Sequence, residues 1–206
     1  MKMKQGWFEA VLSALASMSR TFNGVSDTTS AAEKPKLAVE EGDTLKAKSS
    51  QNLGHALEYL WTNRLTSFAS PANVREFIDT LATIVSDGLL QQGQAFYRTW
   101  ATKFGHTLPE DIEAEYHNFC EWFLGAVDSD DPVAVAALVE KRLDGEIHPF
   151  ADGCGRTAKL LAAFVLLRAG LSPVNHRSRK EYYERINGTD EEWIRYYRAL
   201  GAERRK

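Results

Sequence analysis

His148-Pro149-Phe150-Ala151-Asp152-Gly153-Cys154-Gly155-Arg156 runs directly into a stretch, Thr157 to Arg168, that carries Leu160, Leu161, Phe164, Val165, Leu166 and Leu167. The second stretch is apolar nearly all round. A helix with that pattern lies at the centre of a core, and Gly170 fits its stop. The first stretch sets two glycines around one residue just before that helix. Glycine lets backbone N–H groups turn inward and approach a ligand closely, and a helix N-terminus adds unpaired N–H groups and a positive dipole end. Together they make an anion site. Arg156 adds a forked donor matched to phosphate oxygens, and Lys159, one turn on, can point to the same side.

An anion nest with Arg and Lys implies phosphate. A carboxylate beside it, Asp152, implies a divalent ion shared with that phosphate. His148, four residues earlier, is the obvious proton acceptor, because its pKa lies near working pH. Phe150 would turn inward and pin the loop. A lone histidine or a lone Gly-x-Gly is more often structural than functional. His, Asp, two Gly and Arg within one short stretch before the most apolar helix in the chain are far more specific. The residues themselves point to metal-dependent transfer of a phosphate-containing group to a hydroxyl.

Working outward, the rest of the chain is helical in pattern. Leu53, Leu57, Leu60 and Trp61 repeat at helix spacing. Ser70-Pro71 is an N-cap with proline at the first helical position, followed by Val74, Phe77, Leu81 and Ile84. Leu108-Pro109 starts a helix carrying Ile112, Tyr116, Phe119 and Phe123. Asp131-Pro132 opens another with Val135, Leu138 and Leu143 inside. Ser178-x-x-Glu181 and Thr189-x-x-Glu192 are capping boxes, each opening a helix. Between Gly93 and Gly105 the helical stripe lapses, and aromatic and β-branched residues predict a short extended piece or hairpin over Tyr97 to Lys103. Residues 1 to about 22 read as one amphipathic helix with Trp7, Val11, Leu12 and Leu15 on one side. Residues 23 to about 51 are too polar to order themselves and read as a linker. The expected fold is all-α with one small β element, divided into an N-terminal helix and linker (1–51) and a catalytic domain (52–206).

Composition narrows the function. The chain has 206 residues and a formal charge of -3, enough for one sizeable core and without the basic face of a nucleic-acid binder. Cys120 and Cys154 are the only cysteines and form no CxxC pair, so a disulfide framework is not expected and a zinc site built on cysteine is nearly excluded. This usage fits a reducing, cytoplasmic setting, though it does not distinguish a secreted effector. No stretch approaches a transmembrane span.

The motif resembles the signature of the Fic family, His-Pro-Phe-x-Asp/Glu-Gly-Asn-Gly-Arg-x-x-Arg, with His148 to Lys159 as the matching residues. Gly93 to Gly105 falls where that family carries its target-docking flap, and the helical order from about Asn52 to Leu200 matches its core. The resemblance implies a Fic-type helical bundle with a short β-hairpin flap and protein adenylyltransferase activity. In that reading His148 deprotonates a Ser, Thr or Tyr hydroxyl of a target protein, which attacks the α-phosphate of ATP. Asp152 holds Mg²⁺. Gly153, Cys154, Gly155, Arg156 and Lys159 bind the nucleotide phosphates. The flap residues Tyr97, Arg98, Thr99 and Trp100 align the target by backbone pairing. Tyr182 and Tyr183 stand where family members have aromatic contacts to the base or ribose, or else pack in the core.

Two positions depart from the family form. Cys154 replaces asparagine, exchanging a strong amide donor for a weak thiol. Lys159 replaces the second arginine, keeping the charge and losing the fork. Three readings follow: an enzyme with altered nucleotide handling, an enzyme using another phosphate-containing donor or a small-molecule acceptor, or a degenerate module acting through protein interaction. Gly155, where the kinase-like Doc branch has lysine, argues for nucleotidyl rather than phosphoryl transfer. Glu41-Gly42 resembles the end of the family's inhibitory helix, but Leu37 stands at its Ser/Thr position.

Overall fold

The computed structural model describes residues 5–11 and 39–202, with side chains in residues 5–11 and 47–201. A helical segment over 5–11 (α1) is followed by α2 (Val39–Thr62), α3 (Pro71–Ser86), α4 (Ile112–Ala126), α5 (Pro132–Glu140), α6 (Cys154–Arg168), α7 (Arg179–Ile186) and α8 (Asp190–Ala202). The bundle is all-α, as the patterning predicts.

Helix starts follow the caps. Ser70 accepts from the Asn73 N–H at 3.3 Å, Asp131 from Ala134 at 3.2 Å, and Ser178 from Glu181 at 3.1 Å. Thr189 and Glu192 close a full reciprocal box, at 3.2 and 3.0 Å. The apolar helix α6 is central, packed by α2, α3, α5 and the turn that follows α5. It ends as predicted: Gly170 takes φ 70°, and the Leu171 N–H bonds back to the Leu166 carbonyl at 2.8 Å.

Three expectations are revised. Helix α2 begins at Val39, so residues 39–51 are helical and not a linker. Polar tertiary contacts hold this end: Lys48 Nζ meets Asp87 Oδ2 at 2.6 Å, and Asn52 donates to the Asp87 carbonyl at 2.8 Å. The division at residue 51 therefore falls inside one helix. In α1, Trp7 and Val11 are buried in the common core, with Trp7 against Trp61; Leu12 and Leu15 lie outside the described residues. Finally, residues 97–103 form no hairpin. Tyr97 makes a single antiparallel bridge with Phe150, through Arg98 N–H to Pro149 and Ala151 N–H to Phe96, both at 2.9 Å. This stretch pairs with the motif loop and leaves no second strand of its own.

Candidate functional site

The backbone leading into the motif is unusual. Helix α5 gives way at Lys141 to a π-helical turn over Lys141–Ile147. π turns are rare and are found often at functional sites. This one ends on His148, whose N–H bonds to the Leu143 carbonyl at 3.0 Å and whose φ of 47° and ψ of 59° are left-handed. His148 is the one non-glycine at positive φ among the described residues, a costly conformation that must be held by its surroundings.

Arg98 holds it. Its guanidinium is buried and donates to four carbonyls: His148 at 2.6 Å, Trp100 at 2.6 Å, Ile147 at 2.9 Å, and Thr107. Arg98 was expected at a target-docking edge, and this placement corrects that reading. The aromatic flap sequence around it gave no sign that the arginine would turn inward. Tyr97 also turns away, donating to Asp79 at 2.8 Å and accepting from Arg75 at 3.2 Å. Thr99 is exposed and Trp100 half-buried, and the alternation continues with Ala101 and Lys103 exposed and Thr102 and Phe104 half-buried. Gly105 then passes so close to the motif that a Cβ there would sit 2.8 Å from the His148 Cβ and 2.9 Å from the Glu146 carbonyl.

The His148 ring lies over Asp144. Its Nδ1 stands 3.0 Å from the Asp144 carbonyl and 3.2 Å from the same residue's Oδ1. Two acceptors at Nδ1 place the neutral ring's proton there and leave Nε2 as the basic nitrogen. Burial works against charge on this ring, but the sulfur of Cys154 and the Asp144 carboxylate outweigh it and hold the pKa well above the usual histidine range.

Asp144 was not singled out in the sequence. It is fully buried, and Tyr182 donates to its Oδ2 at 2.9 Å. Burial alone would raise its carboxyl, but His148, Lys159 and Tyr182 bring it down to about 2. The one available signal was its place four residues before His148, and that counts only once the π turn is known. Replacing it tests the pairing. In Asp144→Asn, losing the negative charge should lower the His148 pKa. The acid limb of the pH–rate profile then moves to lower pH, and the plateau rate falls about tenfold because the base is weaker. An unmoved limb would separate Asp144 from His148 ionisation.

The anion loop follows. Gly153 is the N-cap of α6 at φ 75°, with no side chain to cap the helix; a Cβ there would meet Val85 at 2.8 Å. The first N–H groups of α6, on Cys154, Gly155 and Arg156, therefore have no intrahelical acceptor. Arg156 donates to Asp152 Oδ2 at 2.9 Å and to Ser49 at 2.6 Å, both at the loop's rim, and Asp152 remains 41% exposed.

Two predicted phosphate ligands sit differently from expectation. The Cys154 side chain is buried and its thiol donates to the Leu143 carbonyl at 3.2 Å, so only its backbone N–H belongs to the loop. Lys159 points beneath the loop. Its Nζ lies 3.8 Å from Asp144 Oδ2, 3.9 Å from Glu140 Oε2 and 3.8 Å from the Tyr182 ring centroid. An ammonium inside a helix that is buried all round needs acids, and these two provide them. Behind it His176 and Tyr197 reach Glu140, each at 2.9 Å. Tyr182 is thus a core residue, whereas Tyr183 is half-buried beside Phe104, whose ring stacks on His148.

This geometry can be set beside known proteins. Over 191 residues the chain is 28% identical to protein adenylyltransferase Fic of Nematostella vectensis, covering 90% of this chain and 44% of that protein. The fold aligns with a crystal structure of IbpAFic2 covalently tethered to Cdc42, with a TM-score of 0.70 at 20% identity over 98% of this chain and 63% of that one. A structure of IbpAFic2 in complex with adenylylated Cdc42 aligns at 0.66 with 17% identity, over 97% and 64%. No family model matches the chain. An all-α Fic fold carrying this motif turn is the class of protein that these features define. The chain is thus similar in sequence to Fic protein adenylyltransferases and shares the fold of solved Fic domains. It spans less than half the length of its Nematostella relative. Among the described residues no helix is long and apolar enough to cross a membrane.

Proposed function

We propose that this chain transfers AMP from ATP to a Ser, Thr or Tyr hydroxyl of a target protein, with His148 as general base. The observation that carries this reading is the His148 ring, locked with Nδ1 toward Asp144 beside the uncapped N-terminus of α6. Nε2 takes the proton of the incoming hydroxyl, and that oxygen attacks the α-phosphate. Charge developing on the phosphoryl oxygens is met by the N–H groups of Cys154, Gly155 and Arg156, which are preorganised and need no reorientation. Arg156 is placed at the rim to hold the leaving phosphates once it releases Asp152.

An accessible carboxylate at the mouth of an anion loop is a donor suited to a hard divalent ion, so Asp152 is the residue that would hold Mg²⁺. Bound there, the ion would neutralise phosphate charge. The alternating stretch Thr99 to Lys103 is the segment that would align the target chain. A protein target is supported by the IbpAFic2 structures with Cdc42.

The test uses ATP labelled separately at the α- and γ-phosphates, with Mg²⁺ and a candidate target. Label should transfer from the α position only, and the target should gain the mass of an AMP group. Transfer from the γ position would replace this reading with a kinase.

A further inference from the structure

Beneath the catalytic histidine lies a set of donors that Mg²⁺ chemistry does not use. Asp144, His148 and Cys154 each offer one ligand atom, and these lie within 4.8 Å of one another. Asp144 and Cys154 are 0% and 2% exposed, and the His148 side chain, at 17%, is the one that opens to the surface. Asp144 Oδ1 is buried and has no hydrogen-bond partner, although it stands 3.2 Å from His148 Nδ1. Nδ1 has one proton to share between the Asp144 carbonyl and Oδ1, so Oδ1 has no full hydrogen bond of its own. Tyr182 and Lys159 engage the other oxygen, Oδ2. An orphaned buried carboxylate oxygen is costly, and its neighbours are an imidazole and a thiol.

We propose that Asp144 Oδ1, His148 Nδ1 and Cys154 Sγ form an inhibitory zinc site. An imidazole and a thiolate beside one carboxylate make a donor set that selects Zn²⁺ over Mg²⁺. At ordinary zinc–ligand distances, tetrahedral donors stand roughly 3.3–3.8 Å apart, so the cluster needs to contract by at most about 1.5 Å. The thiol proton, now shared with the Leu143 carbonyl, leaves to solvent on binding, and the two anionic ligands balance the charge of the ion.

The consequence for the reaction proposed above follows from the ring itself. With the metal on Nδ1, the neutral imidazole carries its proton on Nε2. That nitrogen then has no lone pair for the hydroxyl proton, and transfer stops. Cys154, where the family form has asparagine, is what makes the site specific to this chain; the cysteine spacing alone, with no CxxC pair, had pointed away from zinc.

This inhibition rests on His148 being the base, but metal binding does not. The test therefore reads binding first. Metal-stripped protein is titrated with Co²⁺ as a spectroscopic probe and then with Zn²⁺ in competition. One equivalent of Co²⁺ should give a sulfur-to-cobalt charge-transfer band and intense tetrahedral d–d bands, displaced by Zn²⁺. Cys154→Ser should lose the charge-transfer band, and Cys154→Ser and Asp144→Asn should each weaken Zn²⁺ binding by at least about 100-fold. Cys154→Asn, which restores the family residue, provides the same loss in a fold-compatible side chain. Absence of the band in wild type, or Zn²⁺ affinity unchanged in both Cys154 variants, overturns the site. If the band appears while Zn²⁺ leaves AMP transfer unaffected, the site stands and the reading of His148 as base falls.

Discussion

His148→Ala should lower the rate of AMP transfer by about 10²–10⁴-fold, the usual worth of a positioned general base, while nucleotide affinity changes little. The separation follows from where each group sits. In the proposed reaction phosphate is received by backbone N–H groups at the start of α6 and by Arg156, none of which depends on the imidazole. In that reaction the ring contributes only proton acceptance. Single-turnover transfer from α-labelled ATP, together with a direct nucleotide-binding measurement, checks both halves. Transfer at near wild-type rate would place the base elsewhere. A parallel loss of nucleotide binding would mean that the substitution has collapsed the left-handed turn rather than removed a base.

Arg98→Met should destabilise the fold by about 3–5 kcal/mol and depress transfer further than unfolding explains. The guanidinium serves four carbonyls that lie 2 to 50 residues from it in sequence, and each buried carbonyl left unpaired costs about 1–3 kcal/mol, with some recovery through water. For a chain of this size the loss corresponds to a fall in Tm of about 10 °C. Arg98→Lys should recover only part of it, because an ammonium cannot span four acceptors in a plane. Thermal unfolding followed by circular dichroism measures the first effect, and transfer rates well below the melting range measure the second. The extra loss arises at His148, whose strained backbone is held through its own carbonyl by Arg98. A Tm unchanged in Arg98→Met would show that the flap and the motif are not joined in this way.

Much of the architecture is legible in the sequence. Proline after Ser70 and Asp131, the capping residues at Ser178 and Thr189, and Gly170 mark helix boundaries through local chemistry, which sequence carries directly. The anion turn was legible for the same reason: Gly153 must adopt a positive φ, and the helix behind it is too apolar to lie anywhere but the core. The misreadings concern direction and distance. Residues 39–51 lack an apolar stripe, and the polar contacts at Lys48, Ser49 and Asn52 are made with residues far along the chain. Lys159, Arg98 and Cys154 were recognised by chemical type, but type does not say which way a side chain turns. For Lys159 a clue existed, since a cation inside an all-apolar helix implies buried acids nearby. Asp144 had none of comparable strength, because its alignment under His148 depends on a π turn that no residue pattern announces.

That turn has a consequence for how the gene encoding this chain can vary. A π-helical turn is equivalent to one extra residue accommodated within an α-helix. Removing any single residue between Lys141 and Ile147 would let the helix close up into ordinary geometry, yet everything after it would rotate by about 100°. The imidazole would swing off the loop and Asp144 would lose it. Substitutions along this segment trade one side chain for another, but a one-codon deletion would disconnect the base from the anion site while leaving a folded bundle behind.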